Sequence, residues 1–118
     1  MRDHTKLRAF ELADQVALVT YRATCNFPNE ERFGLVSQMR RSAVSIASSI
    51  VRGCARQSHA DYLRFLDMAY GSCREFEYQV SLAARLNFLD DSQRVELEPL
   101  VQECARVLNG LIRALWKA

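Results

Sequence analysis

The sequence predicts an all-α protein, an antiparallel up-down-up-down four-helix bundle. The chain of 118 residues is 49% hydrophobic yet has only four Gly and two Pro, a composition that favours helices over the frequent turns of an all-β fold. Its apolar residues recur at spacings of three and four in four successive segments, as on one face of a helix. Short polar breaks separate the segments, so consecutive helices are expected to pack side by side in opposite directions.

The first two predicted helices meet at a proline-containing turn. The first covers residues 6–25 and the second covers residues 29–53. Glu30 and Glu31 place negative charge at the start of the second helix, where the helix dipole favours it. Gly53 offers a stop position at its end.

The third predicted helix covers residues 59–86 and starts at Ser58 and Asp61, which have the spacing of a capping signal. A glycine inside a helix costs about 1 kcal/mol relative to alanine, so Gly71 indicates a close approach by another helix, from the bundle or from a neighbouring subunit. A flank of this helix also carries more apolar surface than one bundle interior takes up. We therefore expect a homo-oligomer with an interface that includes Phe65, Met68, Gly71 and Ser72.

The fourth predicted helix covers residues 91–117 and contains Pro99. Proline inside a helix costs about 3 kcal/mol. We therefore expect either a kink there or a separate short turn from Asp91, with the helix proper starting near Glu98. The four helices make a single domain, residues 1–118.

Patterns that would indicate catalysis or metal binding are missing from the sequence. Glu75 and Glu77 have a spacing that directs them to different faces of a helix, so they cannot act on one substrate atom. No phosphate-binding loop or nucleophile motif occurs. We expect no enzyme activity, no cofactor, no metal and no small-molecule substrate.

The cysteines lack the paired spacing of zinc or redox sites, and three of them are interpreted as small core residues: Cys54, Cys73 and Cys104.

The sequence also lacks the features of an exported or membrane protein. The longest stretch without a charge, residues 42–51, has ten residues, whereas a membrane-spanning helix needs about 20. The first residues do not form a secretory signal. We expect a soluble, cytoplasmic protein with no membrane partner.

Positive charge is concentrated in the middle of the chain. Residues 28–60 hold five basic and two acidic side chains, against four and three in residues 1–27 and seven and nine in residues 61–118. No Asp or Glu occurs from Arg32 to Ala60. Helical periodicity gathers Arg and Ser on the face opposite the apolar seam, and both are common donors to phosphate oxygens. The alternative is that these arginines are solvated or pair with acids of other helices. The candidate nucleic-acid-binding residues are Arg40, Arg41, Ser45, Ser49, Arg52 and Arg56.

Four segments carry a resemblance that covers nearly the whole chain: Phe27–Leu35, Gln38–Ile46, Gly53–Arg56 and Phe65–Ser72, with Glu75. Together they resemble the bacterial four-helix bundle proteins first noted as reading frames inside intervening sequences of large-subunit ribosomal RNA genes. The resemblance implies a bundle that assembles as a ring-like homopentamer and has no established enzymatic activity.

A related branch consists of the accessory proteins of diversity-generating retroelements. Its members are similar in fold, and the resemblance implies RNA, DNA or a reverse transcriptase-like enzyme as the partner, bound through basic surfaces that include Arg40, Arg41 and Arg56. The family commonly has an Asn and a Glu where this chain has Ser49 and Arg52. That departure either alters an inter-subunit or capping interaction or makes this face more basic.

Two hypotheses therefore follow from the sequence. The first is a homo-oligomeric protein that binds nucleic acid or a nucleic-acid enzyme through an Arg-rich face. The alternative is a structural or protein–protein interaction scaffold with no nucleic-acid binding. Exposure of the arginines on one surface favours the first hypothesis, whereas burial against Glu75, Glu77 and other acids favours the second.

Overall fold

The computed structural model describes residues 2–117. It contains helices α1 (Arg8–Thr24), α2 (Leu35–Cys54), α3 (His59–Arg85) and α4 (Asp91–Trp116). Each helix packs against the next along the chain, and α1 also packs against α4, so the predicted four-helix bundle is confirmed. No strand occurs in the described part of the chain. The bundle measures 45 × 24 × 20 Å.

Hydrogen bonds between helices show that α2 and α3 run in opposite directions. Ser42 contacts Glu75, and Ser45, one turn later in α2, contacts Ser72, one turn earlier in α3. The helices lie close to the predicted ranges because each has its own apolar seam, and polar breaks separate the seams.

The start of α2 differs from the prediction of a helix from residue 29. Residues Asn29–Glu31 form a short 3-10 turn, and α2 begins only at Leu35. The intervening Gly34 has φ −103° and ψ −110°, a conformation outside the helical region. Glu31 nevertheless serves the helix start, because its carboxylate accepts a hydrogen bond of 3.3 Å from the Leu35 N–H.

Pro99 does not divide α4, so the expected separate turn and a helix start near Glu98 are wrong. A capping box starts the helix at Asp91: the Asp90 carboxylate accepts from the Gln93 N–H at 2.8 Å, and the Gln93 side chain accepts from the Asp90 N–H at 2.9 Å. Proline removes only one helical donor. The carbonyl left without it belongs to Val95, which is 73% exposed, so water can replace the missing bond.

The core runs the length of the bundle and draws on all four helices. As predicted, Cys54, Cys73 and Cys104 are buried, whereas Cys25 is exposed. The largest fully buried apolar side chains are Val16, Met39, Ile46, Ile50, Leu66, Phe76, Val80, Leu97, Val101 and Leu108.

Gly53 lies at a close contact between α2 and α3, and α2 continues past it to Cys54 rather than stopping there. A Cβ atom added to Gly53 would lie 2.9 Å from the Cβ of Phe65 and 3.4 Å from the carbonyl oxygen of Tyr62. Gly71, for which the sequence predicted a close approach, has no atom within 4 Å of its added Cβ position. The close helix contact inside the bundle therefore requires Gly53, and Gly71 faces open space.

Candidate nucleic-acid interface

The outward face of α2 lies between its contacts with α1 and α3. Arg41, Ser48 and Arg52 are exposed on this face, and Arg56 is exposed just beyond the helix end. Arg41 and Arg52 are separated by about 16 Å along the axis at 1.5 Å per residue. We call Arg41, Arg52 and Arg56 the basic face.

The arginines of the basic face have no carboxylate partner among residues 2–117. The six ion pairs in that range each join two residues of one helix, in α1, α3 or α4. Glu75 accepts a hydrogen bond of 3.0 Å from the Ser42 hydroxyl. Glu77 forms an ion pair with Arg74, in which Oε1 lies 3.3 Å from Nε without the geometry of a hydrogen bond. Glu75 thus contacts α2 through a serine on its buried side, Glu77 pairs within α3, and neither carboxylate forms an ion pair with an arginine of the basic face.

Arg40 differs from its neighbour Arg41 because it fastens α2 to α1. Its Nε donates to the Thr24 hydroxyl at 2.9 Å, and its Nη2 donates to the Tyr21 carbonyl at 3.3 Å. Its guanidinium also lies 4.5 Å from the centre of the Tyr21 ring. This half-buried arginine links two helices, and its Nε is already bonded, so a phosphate could contact only its remaining Nη donors.

The two candidate serines do not lie on the basic face. Ser49 is only 5% exposed, so its predicted exposure is wrong. Ser45 is half-buried and shares a hydrogen bond of 2.9 Å with Ser72. Because α2 packs most extensively against α3, its buried face is wider than its apolar seam and includes small polar residues.

Phe65 is 3% exposed, so the expectation that it forms an apolar flank for another subunit is wrong. Three guanidinium groups cover its ring: those of Arg52, Arg56 and Arg64, at 5.1, 4.7 and 4.8 Å from the ring centre. Of the other predicted interface residues, Met68 is 45% exposed and Gly71 is exposed. Ser72 is occupied by its bond to Ser45.

A fourth arginine joins this group from the start of the chain. The guanidinium of Arg2 lies 4.0 Å from the centre of the Tyr62 ring, and its Nη1 donates to the Arg56 carbonyl at 2.9 Å. We call Arg2, Arg52, Arg56 and Arg64 the arginine corner. Sequence reasoning missed Arg2 and Arg64, and the available signal was the pair of aromatic residues at the start of the third helix.

The polar groups beneath the arginine corner are neutral. Burial is the main cause that raises the pKa of the Cys54 thiol above its ordinary value, and it also raises the pKa of the Tyr62 hydroxyl. Neither group supplies an anion to Arg2 at neutral pH. The Cys54 thiol and the Tyr62 hydroxyl therefore do not neutralise the positive charge of the arginine corner.

An open groove of about 640 Å³ lies between α1 and α2, beside Arg41. Its rim includes Phe33, which is 88% exposed, with the guanidinium of Arg32 at 5.4 Å from the ring centre. Tyr21 and Val44 lie on its walls. An exposed aromatic ring beside arginines suits base stacking, and the sequence analysis did not single it out.

Features of other site classes were not found in residues 2–117. No group of three His, Cys, Asp or Glu side chains comes together there as a metal site. No helix in that range combines the length and the apolar character needed to cross a membrane.

Comparisons with known proteins agree with the resemblance carried by the sequence. The model of the 23S rRNA-intervening sequence protein family matches residues 5–110. The fold is similar to a crystal structure from Bacteroides thetaiotaomicron, described as a protein of unknown function from the S23 ribosomal protein family. That structure is 24% identical, the match covers 89% of this chain and 95% of that one, and the TM-score is 0.81. No curated protein matches the sequence.

Proposed function

The chain belongs to the 23S rRNA-intervening sequence protein family, and we propose that it is a cytoplasmic, non-enzymatic homo-oligomer that binds nucleic acid through its basic face. The observation that carries the proposal is the isolation of that face from acids. Every ion pair among the described residues lies on another helix, so Arg41, Arg52 and Arg56 are exposed to solvent with no carboxylate within 4.0 Å in that part of the chain.

Phosphate is the ligand that this arrangement suits. Guanidinium groups form bidentate, charge-assisted hydrogen bonds with phosphate oxygens. Each neutralised phosphate releases counterions, which favours binding at low salt. The spacing of the basic face follows a helix axis, so a strand lying along α2 can contact Arg41 and Arg52 together. Contacts of this kind position a strand without selecting its sequence.

Self-association would multiply these weak contacts. Met68 is 45% exposed on α3, and no atom of residues 2–117 lies within 4 Å of a Cβ added to Gly71, which supports an interface on that side of the helix. A homopentamer, the assembly implied by the family resemblance, would repeat the basic face in every subunit. Linked sites bind the second part of a ligand at a high effective concentration.

The test of the function compares two triple variants with equal loss of charge. One replaces Arg41, Arg52 and Arg56 with Gln. The control replaces three arginines of α4, the helix that does not contact α2: Arg94, Arg106 and Arg113. Labelled RNA and DNA are titrated at several salt concentrations, with oligomer mass and melting temperature measured for each protein.

We expect the α2 variant to lose most of its affinity and the α4 control to keep it. The dependence of log affinity on log salt should also become shallower in the α2 variant, by about 0.7 per lost phosphate contact for single strands and about 0.9 for duplex DNA. A parent protein that binds neither nucleic acid, or an α2 variant that binds as tightly as the control, would refute the assignment.

A protein-only scaffold is the second candidate. Large exposed apolar side chains favour it: Phe33 is 88% exposed, Val95 73% and Trp116 69%. A contiguous apolar patch would mark a protein contact, and each of these side chains is a possible centre for one. Mass measurement in solution tests the assembly shared by both candidates, and a monomer at micromolar concentration would contradict it.

A further inference from the structure

The arginine corner concentrates more positive charge than the rest of the basic face. Because three guanidinium carbons surround the centre of the Phe65 ring at 4.7 to 5.1 Å, any two of them lie within about 10 Å, close to the Debye length of about 8 Å at physiological salt. Their mutual repulsion is therefore only partly screened. An anion placed among them would relieve it.

Acids near the arginine corner neutralise little of this charge. Asp61 lies 3.7 Å from Arg64 in an exposed pair, and such pairs contribute little. Asp3 instead accepts hydrogen bonds from Thr5 at 2.6 and 3.0 Å. Arg2, Arg52 and Arg56 have no carboxylate within 4.0 Å among residues 2–117.

The guanidinium groups are held in place before any ligand arrives. Arg52, Arg56 and Arg64 pack on a ring that is itself buried, and Arg2 is tied to the Arg56 carbonyl. Ordering of long side chains is a large part of the cost of binding, and the contacts with the Phe65 ring and the Arg2 hydrogen bond reduce that cost. Side chains held in this way favour one compact, highly charged ligand.

Space for such a ligand lies beside these side chains. An open groove of about 620 Å³ is lined by Arg2, Ala55, Arg56 and Gln57. Two of its lining residues, Arg2 and Arg56, belong to the arginine corner, and residues 55–57 directly follow the end of α2, so the groove adjoins the Arg56 end of the basic face. The groove is thus placed for the end of a strand.

We propose that the arginine corner binds the terminal phosphate of a nucleic-acid strand. The inference rests on the proposed function. An internal phosphodiester carries one negative charge, whereas a terminal phosphomonoester carries about 1.5 to 2 at neutral pH and presents three acceptor oxygens. Only the terminal group matches a cluster of forked donors gathered at one point.

The experiment measures the affinity of the whole protein for one short single-stranded RNA in three forms: with a 5′-phosphate, with a 3′-phosphate, and with hydroxyl groups at both ends. One phosphorylated form is expected to bind about tenfold more tightly than the hydroxyl form, a contribution typical of charge-assisted hydrogen bonds. Replacing Arg56 and Arg64 with Gln should abolish the difference. A control variant, Arg41→Gln, removes one charge from the basic face outside the arginine corner; it should weaken all three forms alike and keep the ratio.

The outcomes separate the two proposals. If the parent binds all three RNAs with equal affinity, the terminal-phosphate site is overturned while the basic face still stands as a nucleic-acid surface. If the parent binds none of them, the proposed function fails and the site fails with it. The comparison of the three RNAs on the parent needs no variant, so a misfolded variant would not obscure the result.

Discussion

Replacing Gly53 with alanine is expected to destabilise the bundle, although alanine is the better helix former. The added Cβ would lie 2.9 Å from the Cβ of Phe65, whereas non-bonded carbon atoms pack best at about 3.5–4.0 Å. Both atoms are attached directly to backbone, so no side-chain rotation can separate them. The chain can accept the new methyl group only if α2 and α3 move apart.

The magnitude follows from two opposing effects. Alanine stabilises a helix interior by about 1 kcal/mol relative to glycine, and Gly53, one residue from the end of α2, would gain only part of that. Overpacking a close helix contact costs about 1–3 kcal/mol. The net loss should be about 1–2 kcal/mol, and for a domain of this size each kcal/mol lowers the melting temperature by about 4 °C.

The assay is unfolding by heat and by urea at one fixed protomer concentration, because assembly makes apparent stability depend on concentration. Gly110→Ala is the matched control, since Gly110 is inside α4 and no atom lies within 4 Å of its added Cβ. That variant should be more stable than the parent by up to about 1 kcal/mol. A Gly53→Ala protein that gains stability as the control does would refute the reasoning.

Four further outcomes are expected. Gly71→Ala should reduce the mass of the assembly in light scattering if the proposed interface covers this side of α3, because its new Cβ meets no atom of its own chain and could clash only with a neighbouring subunit. Asp90→Ala should lower the free energy of unfolding in urea by about 1 kcal/mol, because it removes the hydrogen bond that caps α4. A thiol reagent should modify the exposed Cys25 quickly and the three buried cysteines only after unfolding. Stability should fall as pH rises above 9.0, the ordinary pKa of a thiol, because burial raises the pKa of Cys54 and the unfolded chain loses that proton first. The measurement is the free energy of unfolding in urea at several pH values, and replacing Cys54 with alanine should make its decrease with pH smaller.

Each outcome has a result that contradicts it. If Gly71→Ala has the same mass as the parent assembly, the outer side of α3 is not part of the interface. If Asp90→Ala is as stable as the parent, water replaces the hydrogen bond that Asp90 accepts from the Gln93 N–H. Rapid modification of more than one thiol would show that the core opens easily. If the free energy of unfolding decreases with pH as steeply in Cys54→Ala as in the parent, the Cys54 thiol does not cause the decrease.

The helices and most of the core could be predicted from the sequence, because an amphipathic helix carries its buried face in its own spacing. The boundary errors have local causes. The turn before α2 depends on the backbone of Gly34, and the continuity of α4 depends on exposure at Val95. Neither property is visible in the spacing of apolar residues.

Assignments on the faces of the helices were less accurate. Ser49 was predicted to be exposed and Phe65 to lie on an open flank, yet both are buried. The spacing of one helix shows the direction of a side chain from its own axis, but the width of the buried face depends on how near the neighbouring helix comes. Here the missing side chain of Gly53 leaves room for Phe65, whose Cβ would lie 2.9 Å from an added Cβ.

The sequence by itself determined the order of four helices, the core cysteines and a middle segment rich in arginine and free of acids, because these properties are local. Only the tertiary structure decided what each arginine does. Arg40 is bound to α1 while the adjacent Arg41 faces solvent, since successive residues of a helix point about 100° apart and only one of the two directions meets a neighbour. Likewise, Arg2 and Arg64 join Arg52 and Arg56 only because the start of the chain, the end of α2 and the start of α3 converge at one corner of the bundle. The buried Phe65 ring at that corner could not be predicted from residue spacing.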